Sequence, residues 1–338
     1  MGGAGCRSMN IILWGDNRYD EKSHFPCLPL MKISAYYKMR GDSVRLYDKD
    51  VTDCDILYKS KTFSFTNDLD FIPPDGKVVQ GGSGYAIALD GDNREVYDKS
   101  LDVLLSDDIE CLYPDYKLYP GLVHEAYGFL TRGCPRACSF CVVSKKEGRA
   151  SRKVADLTDI WRGQKKIKLM DANILACGER EGLLKQLIKS GSSIDYTQGL
   201  DVRLMNDDMA KLICRTKTEM IHFAFDGMKD EAYTIKGLEI FKKYFDKGAG
   251  VCRVYILVNY DTTREEDVYR VKKVTELGYQ PYIMIYRRGT HDAFLTHLRT
   301  WCNSTMYYFS CDFSEWTPYK NGKSCYDLYG DISKIKAS

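Results

Sequence analysis

Three of the thirteen cysteines in this 338-residue chain fall within eight residues, as Cys134, Cys138 and Cys141 of the stretch YGFLTRGCPRACSFCVVSKKEGR. A short loop with C-x3-C-x2-C spacing can aim three thiolates at one centre, and thiolates are the ligands that iron–sulfur clusters and zinc select. No fourth cysteine lies in the same loop. A structural zinc site closes with four ligands, whereas three leave an open coordination position of the kind a reactive centre needs. A zinc-binding loop or a purely packing loop is the competing reading of the same residues.

The elements that position this loop form two blocks and a tail. The first block reads as strand NIILWG, helix PLMKISAYYKMRG with Leu30, Ile33, Tyr36 and Tyr37 at helical spacing and Gly41 as stop signal, then strands DSVRLYD, CDILYKS and KVVQGG. Strands alternating with helices imply a doubly wound parallel sheet. Residues Lys99 to Gly121, with two prolines and several acids, read as a linker. In the second block, strand candidates end near Leu130, Met170, Tyr196, Phe225, Val258 and Tyr286, at intervals close to the roughly 30 residues of a βα unit. Helical patterns such as EGLLKQLIKSG, DDMAKLICRT, DEAYTIKGLEIFKKYF and REEDVYRVKKVTELG lie between them. Six such units suggest a partial (β/α)6 TIM-type barrel, whose chemistry sits at the C-terminal strand ends, and the cysteines directly follow the first strand.

The stretch RGCPRACSFC ahead of a βα barrel resembles the radical S-adenosylmethionine (SAM) superfamily, whose signature is C-x3-C-x2-C with an aromatic residue before the last cysteine; Phe140 holds that position. The resemblance covers most of Tyr127 to Gly289. It implies that Cys134, Cys138 and Cys141 hold a 4Fe–4S cluster whose open iron binds SAM. Reductive cleavage of SAM then gives a 5′-deoxyadenosyl radical that abstracts hydrogen from substrate, fed by an external flavodoxin- or ferredoxin-like electron donor. The Gly-Gly-Glu turn common after the second strand is absent. Asp171 and Asn173 of DANILACGERE instead resemble the Asp-x-Asn form of a subfamily with an N-terminal cobalamin-binding-type domain, where an acceptor suits the SAM ammonium; a turn or helix cap is the plainer reading. Gln198, Asp201 and Arg203 of DYTQGLDVR, Asp226, Tyr286 and Arg287 stand at the later strand ends. Gln198 and Arg203 are read as SAM or substrate contacts, Asp226 as an acceptor for a ribose hydroxyl with helix N-capping the alternative, and Tyr286 as a cofactor contact at the same rim. The basic run SKKEGRASRK suits a carboxylate or phosphate, or a solvated face, and Glu147-Gly148-Arg149 resembles an element of the same subfamily.

The N-terminal block, over residues 9–120, resembles a cobalamin-binding-like Rossmann domain, and VVQGGSGY resembles its Gly-Gly turn, which permits close approach of a flat ligand. The D-x-H-x-x-G signature for an axial histidine is absent, and His24 lacks that context, so cobalamin would bind without a histidine ligand. Related methylthiotransferases carry three further cysteines in this domain. The block has Cys27, Cys54 and Cys111, besides Cys6, with Gly81-Gly82 where one ligand would stand, so a second cluster there is not expected. The barrel is expected over residues 121–300. The tail, residues 301–338, carries Cys302, Cys311 and Cys325 at spacings that fit no cluster motif, and its aromatic density suggests a segment packed on the barrel. Cys177, Cys214 and Cys252 receive no role.

Composition frames these readings. Hydrophobic content of 44% and charged content of 28% suit a soluble globular chain, and a net charge of +2 advertises neither nucleic acid nor membrane. No apolar run reaches the roughly 20 residues of a membrane span. MGGAGCRSMN lacks the apolar region of a signal peptide, and residues 1–8 read as a cloning remnant before a start at Met9. Unevenly spaced cysteines suit a reducing cytoplasm. The alternatives are a cobalamin-dependent radical SAM methyltransferase and a metal-stabilised scaffold or nucleic-acid-binding protein. Substrate is left open.

Overall fold

The computed structural model describes residues 7–16, 25–91, 95–286, 292–319 and 322–335. They form a mixed α/β protein with two parallel sheets. Two units divide the chain. The first takes residues up to Phe129 with Pro135–Arg149 and Val154–Ile167; the second takes Leu130–Cys134, Ala150–Lys153 and the residues from Lys168 onward.

In the first unit, β1 (Asn10–Gly15) is buried on both faces at Ile11, Ile12 and Leu13, as a central strand of a parallel sheet must be. Helix α1 (Leu28–Met39) opens with proline in its first turn and stops before Gly41, whose φ of +86° only glycine adopts at no cost. Strands β2 (Ser43–Leu46), β3 (Ile56–Ser60) and β4 (Lys77–Gly81) complete a parallel sheet of order β2-β1-β3-β4. Helices were expected on both faces. Residues 47–55 and 61–76 instead connect the strands without any helix, because closely spaced acids and Pro73-Pro74 break the helical period. Coil covers that face, with Tyr47, Leu69 and Phe71 packed on Ile12, Trp14 and Leu57.

Next come α2 (Ser83–Ala86), an antiparallel hairpin of β5 (Ile87–Leu89) and β6 (Glu95–Tyr97), and α3 (Asp107–Glu110). The segment read as a linker is packed structure. Lys32 of α1 donates to Glu110, and Asp115 accepts from Ser34 and Lys38, each at 2.7 Å. The buried Tyr116 hydroxyl donates to the Ile160 carbonyl at 2.8 Å and accepts from the Tyr127 N–H at 2.9 Å.

The second sheet begins with β7 (Glu125–Gly128). After β8 (Thr131–Arg132), α4 (Val143–Lys146) and β9 (Arg152–Lys153), it continues with β10 (Lys166–Leu169), α5 (Arg180–Ser190), β11 (Ser193–Tyr196), α6 (Asp207–Cys214), β12 (Lys217–Ala224), α7 (Glu231–Lys242), β13 (Cys252–Val258), α8 (Arg264–Glu276) and β14 (Gln280–Ile285). Its order, β14-β13-β12-β11-β10-β7, follows the chain, as right-handed βα crossovers produce. Caps fix the helix ends: Asn206 accepts from the Met209 N–H, Thr263 and Glu266 form a capping box, and Gly191 closes α5 at φ +67°. The first repeat departs from the others, with the four-residue α4 in place of a long helix. After β14, the chain forms α9 (Ala293–Asn303), α10 (Thr305–Ser310) and α11 (Cys325–Tyr329). The Asn303 amide pairs with both the N–H and the carbonyl of Ile283, so the tail protects the edge of β14.

Candidate functional site

The cysteine segment follows β8 through two left-handed turns, at Gly133 (φ +89°) and Ala137 (φ +47°), and the Cys141 N–H donates to the Cys138 carbonyl at 3.0 Å. Cys134, Cys138 and Cys141 are all half-buried, and no described cysteine is in a disulfide; Cys6 lies outside the described residues. Most of the other thiols are buried. Burial pushes Cys27 and Cys214 up to about 11 and Cys325 up to about 12, and raises Cys54, Cys177, Cys252 and Cys302 as well, so these serve as small hydrophobes. Among the described residues, no three His, Cys, Asp or Glu side chains are already grouped to hold a metal ion. The donor chemistry of the three half-buried cysteines nevertheless fits a thiolate-ligated cluster, which is held by soft sulfur ligands of this kind.

Asp171 stands just after β10 and is 4% exposed. Its carboxylate accepts from the Leu130 N–H at 3.1 Å, the Thr131 N–H at 2.5 Å and the Thr131 hydroxyl at 2.6 Å. It therefore anchors the backbone that leads into Cys134. Burial raises its pKa to about 6 against the opposing pull of these hydrogen bonds.

Asn173 gathers several of the expected residues. Its Oδ1 caps a 3-10 turn by accepting from the Ala176 N–H at 3.2 Å, while Nδ2 donates to Asp201 Oδ2 at 3.1 Å and to Cys134 Sγ at 3.6 Å. Asp201 Oδ1 accepts from Arg203 Nε at 2.7 Å, and Arg203 Nη1 reaches Asp230 at 2.5 Å. Burial alone would lower the Arg203 pKa, but the Asp201 and Asp230 carboxylates more than offset it and keep the guanidinium charged. Cys134, Asn173, Asp201 and Arg203 thus share one polar chain.

The remaining candidates are more dispersed. Gln198 is exposed in the turn after β11, so it carries none of the burial cost that marked it as a contact; the neighbouring Thr197 Oγ1 is buried without a hydrogen-bond partner. Asp226 accepts from the Leu257 N–H at 3.2 Å, and burial raises its pKa despite that bond and the Arg270 and Arg203 cations. It does not cap α7, whose N-cap position is Asp230. Tyr286 packs edge-on against Tyr260 at 4.6 Å, and Phe140 is half-buried. Arg287 and His24 lie outside the described residues.

The glycine turn after β4 does not fit a corrin. A Cβ at Gly82 would collide with the Lys61 carbonyl oxygen, and one at Gly84 would lie 2.7 Å from that of Phe63, so the close approach that glycine permits is used by the chain itself. Lys146 of the basic run donates to Ser83, beside the same turn, and lies 3.8 Å from Asp102; this cation is structural. Of the tail cysteines, Cys302 and Cys325 are buried and Cys311 is half-buried.

Sequence reasoning missed Arg270. It is fully buried, and it donates to the Phe225 carbonyl at 2.6 Å, the Leu257 carbonyl at 2.9 Å and Asp267 at 2.5 Å, fixing the strand ends that carry Asp226. The available signal was the Asp267/Arg270 pair, three residues apart on the same helix face as Val271 and Val274. Asp230 was missed as well, since nothing in DGMKDE distinguishes it from neighbouring acids. The chain matches no protein-family model, and no curated protein matches it. No helix among the described residues is long and apolar enough to cross a membrane.

Proposed function

We propose that this chain is a radical SAM enzyme, with a cobalamin-binding-like Rossmann domain followed by a partial (β/α)6 barrel. The observation that carries the reading is the C-x3-C-x2-C segment with Phe140 before its last cysteine, its three cysteines half-buried between β7 and β10. Sequential strands β10 to β14, returned by α5 to α8, support the barrel.

Cys134, Cys138 and Cys141 would hold the 4Fe–4S cluster. With an electron from a flavodoxin- or ferredoxin-like donor, that cluster supplies the reductive cleavage of SAM to methionine and a 5′-deoxyadenosyl radical, which abstracts hydrogen from the substrate. The chain's own groups orient the reactants. Asp171 fixes the backbone entering the cysteine segment, and Asn173 holds the Cys134 sulfur. Arg203, clamped between Asp201 and Asp230, offers a fixed cation, and the unpartnered Thr197 hydroxyl offers a polar group to a ligand at the end of β11. No step is routed through cobalamin, because the backbone of Lys61 and Phe63 occupies the glycine turn. Cysteines that form no disulfide among the described residues suit a reducing cytoplasm.

The test is anaerobic. Reconstituted with iron and sulfide, reduced and given SAM, the wild type yields 5′-deoxyadenosine and Cys138→Ala does not. Uptake of zinc in place of a cluster, with no deoxyadenosine, overturns the reading and makes the cysteines structural.

A further inference from the structure

Asn173 is 2% exposed, and its amide has a single workable orientation. Its oxygen is committed to the Ala176 N–H, so flipping the amide would break that cap and turn an acceptor towards both Asp201 and the sulfur. Asp201 is itself fixed, since its other oxygen accepts from the Arg203 N–H at 3.3 Å and from Nε at 2.7 Å, and Arg203 is held in turn by Asp230. The donor that reaches Cys134 Sγ is therefore the end of a buried, pre-oriented chain of hydrogen bonds.

We propose that Asn173 is a positioning residue that acts through Cys134 to set the reduction potential of the metal centre, an assignment that rests on the radical SAM reading. A donor aimed at a ligating sulfur stabilises the more negative, reduced state, and such hydrogen bonds are among the factors that spread iron–sulfur potentials. Asp201 keeps the donor aimed. Losing the donor lowers the potential without removing a ligand.

Two variants isolate the effect. Asn173→Ser keeps an oxygen for the Ala176 cap but is too short to reach the sulfur. Asn173→Asp keeps the shape and the cap while replacing the N–H donor by an anionic oxygen. Wild type and both variants are reconstituted anaerobically, iron and sulfide are counted per chain, and dithionite supplies one electron per cluster in a titration followed by electron paramagnetic resonance. The expected result is equal cluster content, with the reduced-to-oxidised ratio at the wild-type midpoint about tenfold lower in Asn173→Ser, a shift of about 59 mV for one electron. Asn173→Asp is expected to fall further. Should Asn173→Ser fail to fold, Asn173→Thr, which keeps the same hydroxyl for the cap and likewise falls short of the sulfur, is measured in its place. Full clusters with unchanged potentials overturn this inference and leave the functional reading standing. A wild type that assembles no cluster overturns both, and the iron count separates the two failures.

Discussion

Replacing Arg270 by methionine tests what holds the strand ends. The guanidinium is fully buried on α8 and donates to the Phe225 and Leu257 carbonyls, to Thr262 Oγ1 at 3.4 Å and to Asp267. Methionine retains much of the volume and removes every donor. Asp267, whose side chain is 2% exposed, keeps, among the described residues, the Asn259 N–H at 3.1 Å and the Thr262 hydroxyl at 2.6 Å. Breaking one side of a buried ion pair costs about 3–5 kcal/mol, because the partner charge is left behind. Domains are stable by only about 5–15 kcal/mol, so this is a large fraction of the total. With a urea m-value of about 2 kcal/mol/M, the midpoint for the second unit is expected to fall by about 2 M. Arg270→Lys is expected to recover little, since a single ammonium cannot span two carbonyls and a carboxylate as the planar fork does. Removing the charge left behind, in Arg270→Met with Asp267→Leu, is expected to cost less than Arg270→Met alone. A midpoint within 0.5 M of wild type for Arg270→Met, an effect under about 1 kcal/mol, would refute the argument.

Two buried groups in the second unit titrate in opposite senses. Burial and the Arg253 cation depress His222 from 6.5 to about 4, so its contribution is complete above pH 6.5 and is lost as pH falls towards 4; burial raises Asp171 from 3.8 to about 6, so its protonation adds stability as pH falls over a similar window. Each is worth about 2–3 kcal/mol between pH 7 and pH 4.5. In urea unfolding, His222→Gln should therefore gain stability on acidification and Asp171→Asn should lose it; parallel profiles would contradict both assignments. Gly82→Ala, at φ +99° and facing the Lys61 carbonyl, is expected to cost about 3 kcal/mol, against about 1 kcal/mol for Gly191→Ala at φ +67° with open space around it. Thermal melts compare them, and equal losses would show that the backbone contact at Gly82 carries no weight.

Periodicity exposed most of the fold. NIILWG, CDILYKS and the strands from KIKLM to YIMIY appear where apolar runs end in polar residues, and α5 to α8 follow their 3.6-residue pattern. What stayed illegible was the covering of the first sheet. Aromatic side chains on coil, Tyr47 and Phe71, occupy the place of a helix there, and isolated aromatics between prolines and acids carry no period to read. The segment Lys99 to Gly121 failed for a related reason. Its composition resembles a linker, yet its order comes from Lys32, Ser34 and Lys38 on a helix more than 75 residues away in sequence.

The candidate site divides along the same line. Residue type and spacing drew attention to the cysteines and Arg203, because their chemistry is unusual for a strand end, and a family resemblance drew attention to Asn173. Type and spacing say nothing of the backbone work of Asp171, since an acid at a strand end serves a ligand's ammonium or a neighbour's backbone equally well, and the positions of the Leu130 and Thr131 N–H groups belong to the fold. Arg270 escaped because an amphipathic pattern assigns charge to solvent. A buried charge becomes tenable only when several carbonyls converge on it, and convergence is a property of the fold. Both residues solve one problem. A parallel strand ends in carbonyls and N–H groups with no neighbour to pair them, and here Asp171 satisfies the donors at Leu130 and Thr131 while Arg270 satisfies the acceptors at Phe225 and Leu257. Side chains therefore fix the ends from which the candidate residues project, and the segment bearing Cys134 can lack a long helix and still leave its fixed base in one direction.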